Sequence, residues 1–342
     1  YTSNPEDYSI AELPRPQLRT GTQVEITVHA ASLNPIDFKR AKGMLSMLNP
    51  DTFPLRLGYD VAGVVASTGD QVTRFKQGDR VYGRVPDPDV GTIAEVVVTE
   101  EAALAHIPDS VSFTAAAAVP LAGLTAKQSL EAAGLQHGQS VFVSGGMGGV
   151  GVFALALAKH HFGAAEIATT VSTAKREGAE RLGATKVVDY TKEDYTKVLE
   201  SAVDVGFDTV GDSNIYKVVK PGGQAVSVAL LPDGDTLGKF RDTSVPLSTL
   251  ASIRLAAIKQ AANALQWFTT RKFRAKNVGY KFVLLESQGM DLETVFNPLL
   301  ESKAIDPVIS STHPFTDDGV RAAFKESIGG HATGKIVINV RD

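Results

Sequence analysis

The sequence predicts an α/β chain of two domains, one β-rich and one built on a doubly wound parallel sheet, and three observations carry this. The first is size, since 342 residues with 43% apolar content can bury a large core and domains hold about 100 to 200 residues each. The second is a set of short β-branched runs, separated by turn clusters, over the first third of the chain. The third is a regular alternation of strand-like and helix-like runs over residues 121–286, a spacing that requires parallel pairing through crossover helices. Residues 1–120 with 287–342 are therefore expected to form the β-rich domain, and 121–286 the parallel-sheet domain.

In chain order, "QVEITVHAASL", "YDVAGVVAST", "DRVYGRV" and "GTIAEVVVTE" read as strands, divided by "TGDQ", "KQGD" and "PDPD". Gly, Asp and Pro at those positions suit tight turns, so a barrel-like or sandwich-like domain is expected. "TAAAAVPLAGLTAKQSLEAAG" reads as helix, bent or interrupted at Pro120. Next come the strand "SVFVSG" and helix "GVGVFALALAKHH", then "EIATTVS" with "AKREGAERLG", then "KVVDY" with "EDYTKVLES". The strands "VDVGFDTV" and "GGQAVSVALL" follow, and after them the insertion "LPDGDTLGKFRDTSVPLSTLASIRLAAIKQ". Its charged, Gly-containing start reads as a mobile loop over a ligand cleft, and its helix as core or as a homodimer surface. After the strand "NVGYKFVLL", the final stretch "DLETVFNPLLES", "PVISSTHPF", "VRAAFKES" and "KIVINV" mixes helix and strand and returns to the first domain.

Composition narrows the functions available. With 34 Lys plus Arg against 38 Asp plus Glu, the net charge of -4 gives no global field toward nucleic acid or an anionic membrane, so any partner recognised by charge must be read locally. Cysteine is absent, which excludes disulfides, thiolate nucleophiles and Cys-ligated zinc. The longest apolar stretches are broken by Pro or Gly and fall short of the ~20 residues that cross a bilayer. No signal peptide is visible, and a cytoplasmic enzyme is expected, although a chain opening at Tyr1 leaves a preceding segment open.

The stretch "VSGGMGGVG" concentrates glycine between a strand and a helix. Gly146, Gly148 and Gly151 match G-x-G-x-x-G in the context where that pattern binds dinucleotides. Gly146 is expected to permit the tight turn, Gly148 to let a pyrophosphate approach the backbone, and Gly151 to let helix and sheet pack closely. Amides of Gly149 and Val150 at the helix N-terminus would face phosphate oxygens. An NAD site places Asp or Glu about 20 residues further on, at the end of the second strand, to accept from the ribose hydroxyl. Here that strand runs into Ser172 and Thr173, with Lys175 and Arg176 behind them, a set that suits a 2'-phosphate and so NADPH.

Several stretches together resemble the medium-chain dehydrogenase/reductase superfamily, in particular its zinc-free quinone oxidoreductase and enone reductase branch. They are "AASLNPIDFKRAKG", "LGYDVAGVVASTGDQVTRFKQGDRVYG", "GTIAEVVV", "AAAVPLAGLTA", "SGGMGGVG", "LGATKVVDY" and "GGHATGKIVI", in order across nearly the whole chain. The resemblance implies a GroES-like β domain, a Rossmann domain and an active cleft between them. Zinc-dependent relatives carry Gly-His-Glu and cysteines, where this chain has Gly58-Tyr59-Asp60 and no cysteine, so no metal is expected. Single residues carry over: Asn34 beside the nicotinamide, or else a turn-capping Asn before Pro35; Thr125 near the nicotinamide ribose; Tyr190 near the 2'-phosphate. Val210 and Leu230, at the ends of the fourth and fifth strands, and Phe282 would line the nicotinamide pocket, or else be plain core. Two departures stand out. Ala41, Gly43 and "MLSML" replace a more polar family pattern, and Thr333 stands where arginine is frequent.

These readings lead to an NADPH-dependent transfer of hydride to a small electrophile, a quinone, an enone or an enoyl thioester. Tyr59, Lys39 and Asn34 are the polar residues expected nearest the developing negative charge, with water or Tyr59 as proton source. A chain that binds NADPH without turnover, or one that runs a non-redox step on the same fold, stays open on the sequence alone.

Overall fold

The structure is a computed structural model in which residues 1–46, 51–87, 89–230, 232–239 and 249–341 are described. The chain divides into two compact units, Tyr1–Leu124 with Glu286–Asp342, and Thr125–Leu285.

In the first unit, β1 (Gln23–Leu33) is the hub, pairing antiparallel with both β2 (Asp60–Thr68) and β4 (Val96–Glu100). β2 continues to β3 (Arg80–Arg84), and β3 to β5 (Leu104–His106), a short strand absent from the sequence reading. Alternation explains the fold: Val24, Ile26 and Val28 of β1 meet Val61, Val65, Val81, Val97 and Leu104 in one buried cluster. Register shifts against β2 at Glu25/Ile26 and Val28/Ala30 bend β1. Helix α1 (Pro35–Ala41) leaves β1 at once, with Pro35 at its first position and the Asp37 carboxylate accepting from the Asn34 amide at 2.8 Å.

The helical stretch is interrupted at Pro120, as expected, and forms two helices. One ends at Ala117, and α2 (Pro120–Ala132) begins at the proline, which lacks the N–H that a helix interior needs. The second unit then lays down β6 (Ser140–Val143), β7 (Glu166–Val171), β8 (Lys186–Asp189), β9 (Val203–Asp208), β10 (Val219–Ser227) and β11 (Gly279–Phe282). All pair in parallel, in the order β11-β10-β9-β6-β7-β8. All four residues of β6 are buried, as a strand covered on both faces requires. Helix α3 (Gly151–His160) crosses from β6 to β7, and the long helix α4 (Thr249–Thr269) precedes β11. The chain builds outward from β6 to β8 and then returns to β9, so the order reverses between β6 and β9, the place where doubly wound sheets bind ligands.

Part of the insertion differs from its expected form. Residues 234–239 form a short helix where a loop is expected, and the Gly234 amide donates to Asn263 of α4 at 2.7 Å. Residues 231 and 240–248 of the same insertion lie outside the described residues.

The last stretch returns to the first unit. β12 (Ile309–Pro314) runs parallel to β13 (Lys335–Asn339), which pairs antiparallel with β1, giving the order β12-β13-β1-β2-β3-β5 with β4 on β1. Helix α5 (Asp317–Gly329), capped by Thr316 and closed by Gly330 at φ +71°, buries Val320, Ala323 and Phe324 against Leu33, Ile336 and Ile338. This closure sets Lys335 beside Asn34, about three hundred positions earlier in the chain.

Candidate functional site

The turn between β6 and α3 assigns each glycine a physical duty. Gly145, not Gly146, takes the left-handed backbone, at φ +61°, so the tight turn expected at Gly146 sits one residue earlier. Gly146 is bare because of the sheet: a Cβ there would lie 2.2 Å from Thr169 Oγ1 and 3.0 Å from Leu155 Cδ1. Gly151 is bare because α3 packs onto the turn, with Gly145 O only 2.3 Å from where its Cβ would stand. Gly148 is different. A Cβ there meets a single protein atom, Gly145 O at 3.2 Å, so the surface it leaves open is not filled by the protein itself. α3 has no side-chain cap at Val150; the Val152 amide donates to Gly148 O at 3.1 Å, which leaves the preceding amides of Gly149 and Val150 to face an anion.

The carboxyl ends of β6, β9 and β10 are held by one acid that the sequence reading overlooked. Asp208 is fully buried and accepts from Ser144 Oγ (3.2 Å), Ser227 Oγ (2.7 Å) and the amides of Val210 (3.1 Å), Gly211 (3.0 Å) and Asp212 (3.0 Å). Ser227 Oγ in turn accepts from the amide of Leu230 at 2.9 Å. Val210 and Leu230 are thus carried on turns tied to one carboxylate. Val210 is 61% exposed, which removes the plain-core reading, and it covers Gly145, where an added Cβ would stand 2.8 Å from Val210 Cγ1. Leu230 and Phe282 are half-buried, and Thr125 is buried on α2.

At the end of β7, Ser172 and Lys175 flank a short turn and are half-buried, while Tyr190 is exposed beside them, its amide donating to Val171 O at 3.2 Å. Asp189, opposite Val171 in the ladder, is the carboxylate next to this corner. It is already engaged by Thr173 Oγ1 and by Thr191 through hydroxyl (2.6 Å) and amide (3.0 Å). Those hydrogen bonds, that of Thr173 first, hold its carboxyl well below the usual carboxylate range. Most of the acceptor capacity of Asp189 is therefore spent inside the protein.

In the first unit, two of the three residues expected at the chemistry, Asn34 and Tyr59, are buried among polar partners. Asp60 accepts from Ser32 Oγ (2.7 Å), Asn34 Nδ2 (2.8 Å) and the Leu121 amide (2.8 Å), and pairs with Lys335 Nζ at 3.4 Å. Lys335 also donates to Asn34 Oδ1 and to Leu33 O at 3.1 Å. Both polar ends of the Asn34 side chain are therefore committed inside the protein. Asp37 accepts from the amides of Asn34 and Gly58, yet burial dominates and its carboxyl is pushed up to about 7; burial likewise lowers the Lys335 ammonium. Tyr59 is 1% exposed, its hydroxyl accepts from Arg40 Nη1 at 3.0 Å, and its ring lies 5.0 Å from the Arg84 guanidinium. Burial, then the charge of Asp87, push its phenol well above the ordinary value. Arg40 is pinned in turn by Asp51 (2.7 Å) and Asp87 (2.5 Å). Lys39, the residue before Arg40 on α1, is exposed. The structure thus gathers Asn34 and Tyr59 into the interior and leaves Lys39 outside, and donor roles toward a substrate oxygen do not follow from this placement.

Two sequence families match parts of the chain, the second running across the boundary between the two units. Residues 20–109 match the sequence family described as alcohol dehydrogenase GroES-like domain, and residues 182–338 the one described as zinc-binding dehydrogenase. The chain is 38% identical over 326 residues to 2-methylene-furan-3-one reductase of Solanum lycopersicum, covering 93% of this chain and 71% of that protein. It is 34% identical to the chloroplastic NADPH-dependent alkenal/one oxidoreductase of Arabidopsis thaliana, covering 92% and 72%. The solved structure of the quinone oxidoreductase from Coxiella burnetii superposes with a TM-score of 0.79 at 28% identity, over 99% of this chain and 96% of that one.

A zinc ion does not fit the residues present. The chain has no cysteine, and among the described residues no group of three or more His, Asp and Glu is placed to hold a metal. Asp60, at the Gly58-Tyr59-Asp60 segment, spends its carboxylate on an ammonium, a hydroxyl and two amide N–H donors. A dinucleotide does fit, since Gly148 and the uncapped start of α3 leave open the surface that a pyrophosphate requires.

Proposed function

Because this chain belongs to the medium-chain dehydrogenase/reductase superfamily, in its quinone oxidoreductase and enone reductase branch, we propose that it is an NADPH-dependent reductase acting without zinc on conjugated enals, enones or quinones. The observation that carries the reading is the turn from Gly145 to Gly151, where Gly148 is left bare toward open space. Amides of Gly149 and Val150 receive the pyrophosphate, and Ser172, Lys175 and Tyr190 receive the 2'-phosphate. Thr125 meets the nicotinamide ribose, and Val210, Leu230 and Phe282 wall the reacting end. When bound, the reduced nicotinamide supplies the hydride. The protein contributes position, through turns fixed by Asp208, and the proton comes from water. Asn34 and Tyr59 act by holding the β1–α1–β2 corner rigid. The names of the two plant relatives, one a reductase of an exocyclic enone and one an alkenal/one oxidoreductase, favour a conjugated carbonyl over a quinone.

The test is consumption of reduced cofactor, followed by its absorbance, against a panel of alkenals, enones and quinones. NADPH with an alkenal or enone is expected to turn over. Lys175→Ala is expected to lower kcat/KM for NADPH about 10- to 100-fold, the loss of one charge-assisted contact, and to leave NADH unchanged. No cofactor oxidation with any acceptor overturns the enzymatic reading and leaves a binding protein.

A further inference from the structure

We propose that the face formed by the C-terminal half of α4 and the segment that follows it docks this protein on an anionic lipid surface, lying on the bilayer rather than crossing it. Between residues 243 and 285 the sequence holds seven Lys or Arg and no Asp or Glu, in a chain whose net charge is -4. Within that run, Trp267 is 65% exposed and Phe268 56%, with Leu265 exposed one turn earlier. Large apolar side chains normally leave water, and three together on one helix end form a patch in want of a partner. Cations accompany them: Arg271 sits 4.0 Å over the Phe268 ring and Arg274 4.8 Å over the Trp267 ring, with Lys272 exposed between the two arginines in sequence. Among the described residues no carboxylate pairs with Arg271, Lys272 or Arg274, whereas Lys259, two turns back, has Asp235 at 3.9 Å.

The chemistry selects the partner. Trp, Phe and Leu interleaved with Lys and Arg on an exposed helix is the composition that settles at the headgroup boundary, rings among the acyl chains and cations on the phosphates. A second copy of the chain is disfavoured, because a two-fold contact would set this cationic face against itself. No helix among the described residues is long and apolar enough to cross a membrane, which restricts the mode to surface attachment for this face.

Trp267 is the chain's single tryptophan and reports on the face directly. With the full chain and vesicles of equimolar phosphatidylcholine and phosphatidylglycerol, its emission is expected to move to shorter wavelength and the protein to sediment with the lipid; both effects fade as salt rises. Vesicles of phosphatidylcholine alone are expected to do neither. The double variant Arg271→Gln/Lys272→Gln is expected to bind the anionic vesicles about 25-fold more weakly, two surface cations at roughly fivefold each, with unchanged thermal melting and cofactor turnover. The proposal is overturned by equal binding to both vesicle types, by no binding to either, or by an unaffected double variant. It is equally overturned if the emission shift follows protein concentration without lipid, the mark of self-association, or appears with RNA at concentrations where anionic vesicles give none.

Discussion

Placing one methyl group at Gly148 separates the needs of the fold from those of a ligand. The backbone there is outside the left-handed region, and the nearest atom to an added Cβ is Gly145 O at 3.2 Å, a contact relieved by a shift of a few tenths of an ångström. Replacing Gly by Ala at a tolerant position stabilises by about 0.4–1 kcal/mol through the unfolded chain, which offsets the tight contact, so Gly148→Ala should unfold at nearly the original denaturant concentration. At Gly151 the same methyl meets Gly145 O at 2.3 Å and Gly146 Cα at 2.8 Å, backbone atoms of the turn itself, and overpacking of that kind costs about 1–3 kcal/mol. Toward NADPH the order reverses. A pyrophosphate seated on Gly148 would be lifted off one or two amide donors, each charge-assisted bond worth about 1.5–3 kcal/mol, so affinity falls about 10- to 100-fold or more. Urea titration and fluorescence titration of NADPH on both variants make the comparison. If Gly148→Ala folds normally and binds NADPH as tightly as the unaltered chain, the open surface was not made for phosphate and the reasoning fails.

The buried cluster of the first unit gives three more tests. Asp37, with a carboxyl raised from 3.8 to about 7, keeps a proton in the folded state that the unfolded chain releases, so its contribution to stability is full below about pH 4 and is lost as pH rises toward 7. The loss is on the order of 4 kcal/mol, and melting curves should show a downward slope over that window that Asp37→Asn flattens; parallel slopes would refute it. Lys335→Met leaves Asp60 buried without its cation and should cost about 3–5 kcal/mol by urea denaturation, an unchanged midpoint being the contrary result. Tyr59→Phe removes one hydrogen bond from Arg40, about 1 kcal/mol of stability, and should leave kcat alone; a large fall in kcat with an intact fold would return the phenol to the role of proton source.

The architecture was legible because its signals are local. Continuous apolar β-branched runs such as "SVFV" and "EIATTV" mark strands covered on both faces, and the glycines that follow β6 mark a turn of unusual composition. Which glycine bends the chain was not legible. That depends on where the Thr170 side chain and carbonyl catch the amides of Gly145 and Gly146, a contact between strands 25 residues apart. Asp208 escaped notice for a similar reason: at the end of "VDVGFD" it looks like a solvated strand-end acid, and only the sheet brings Ser144 and Ser227 to it. The same holds for Lys335 and Asn34, whose meeting depends on β13 closing onto β1. Motif reasoning singled out Asn34 and Tyr59, but whether a polar group faces inward is decided by partners far away in the chain.

The shared carboxylate at Asp208 has a consequence for how this scaffold can change. Two rims are tethered to a single anchor, so neither can be lengthened or re-angled without the other losing its hydrogen bonds. New acceptor preferences are then reached most cheaply by repainting, through exchanges at positions such as Val210 and Leu230 on a frame that stays put. Libraries that vary those faces while sparing Asp208, Ser144 and Ser227 should yield many folded members, and libraries that include the anchor few.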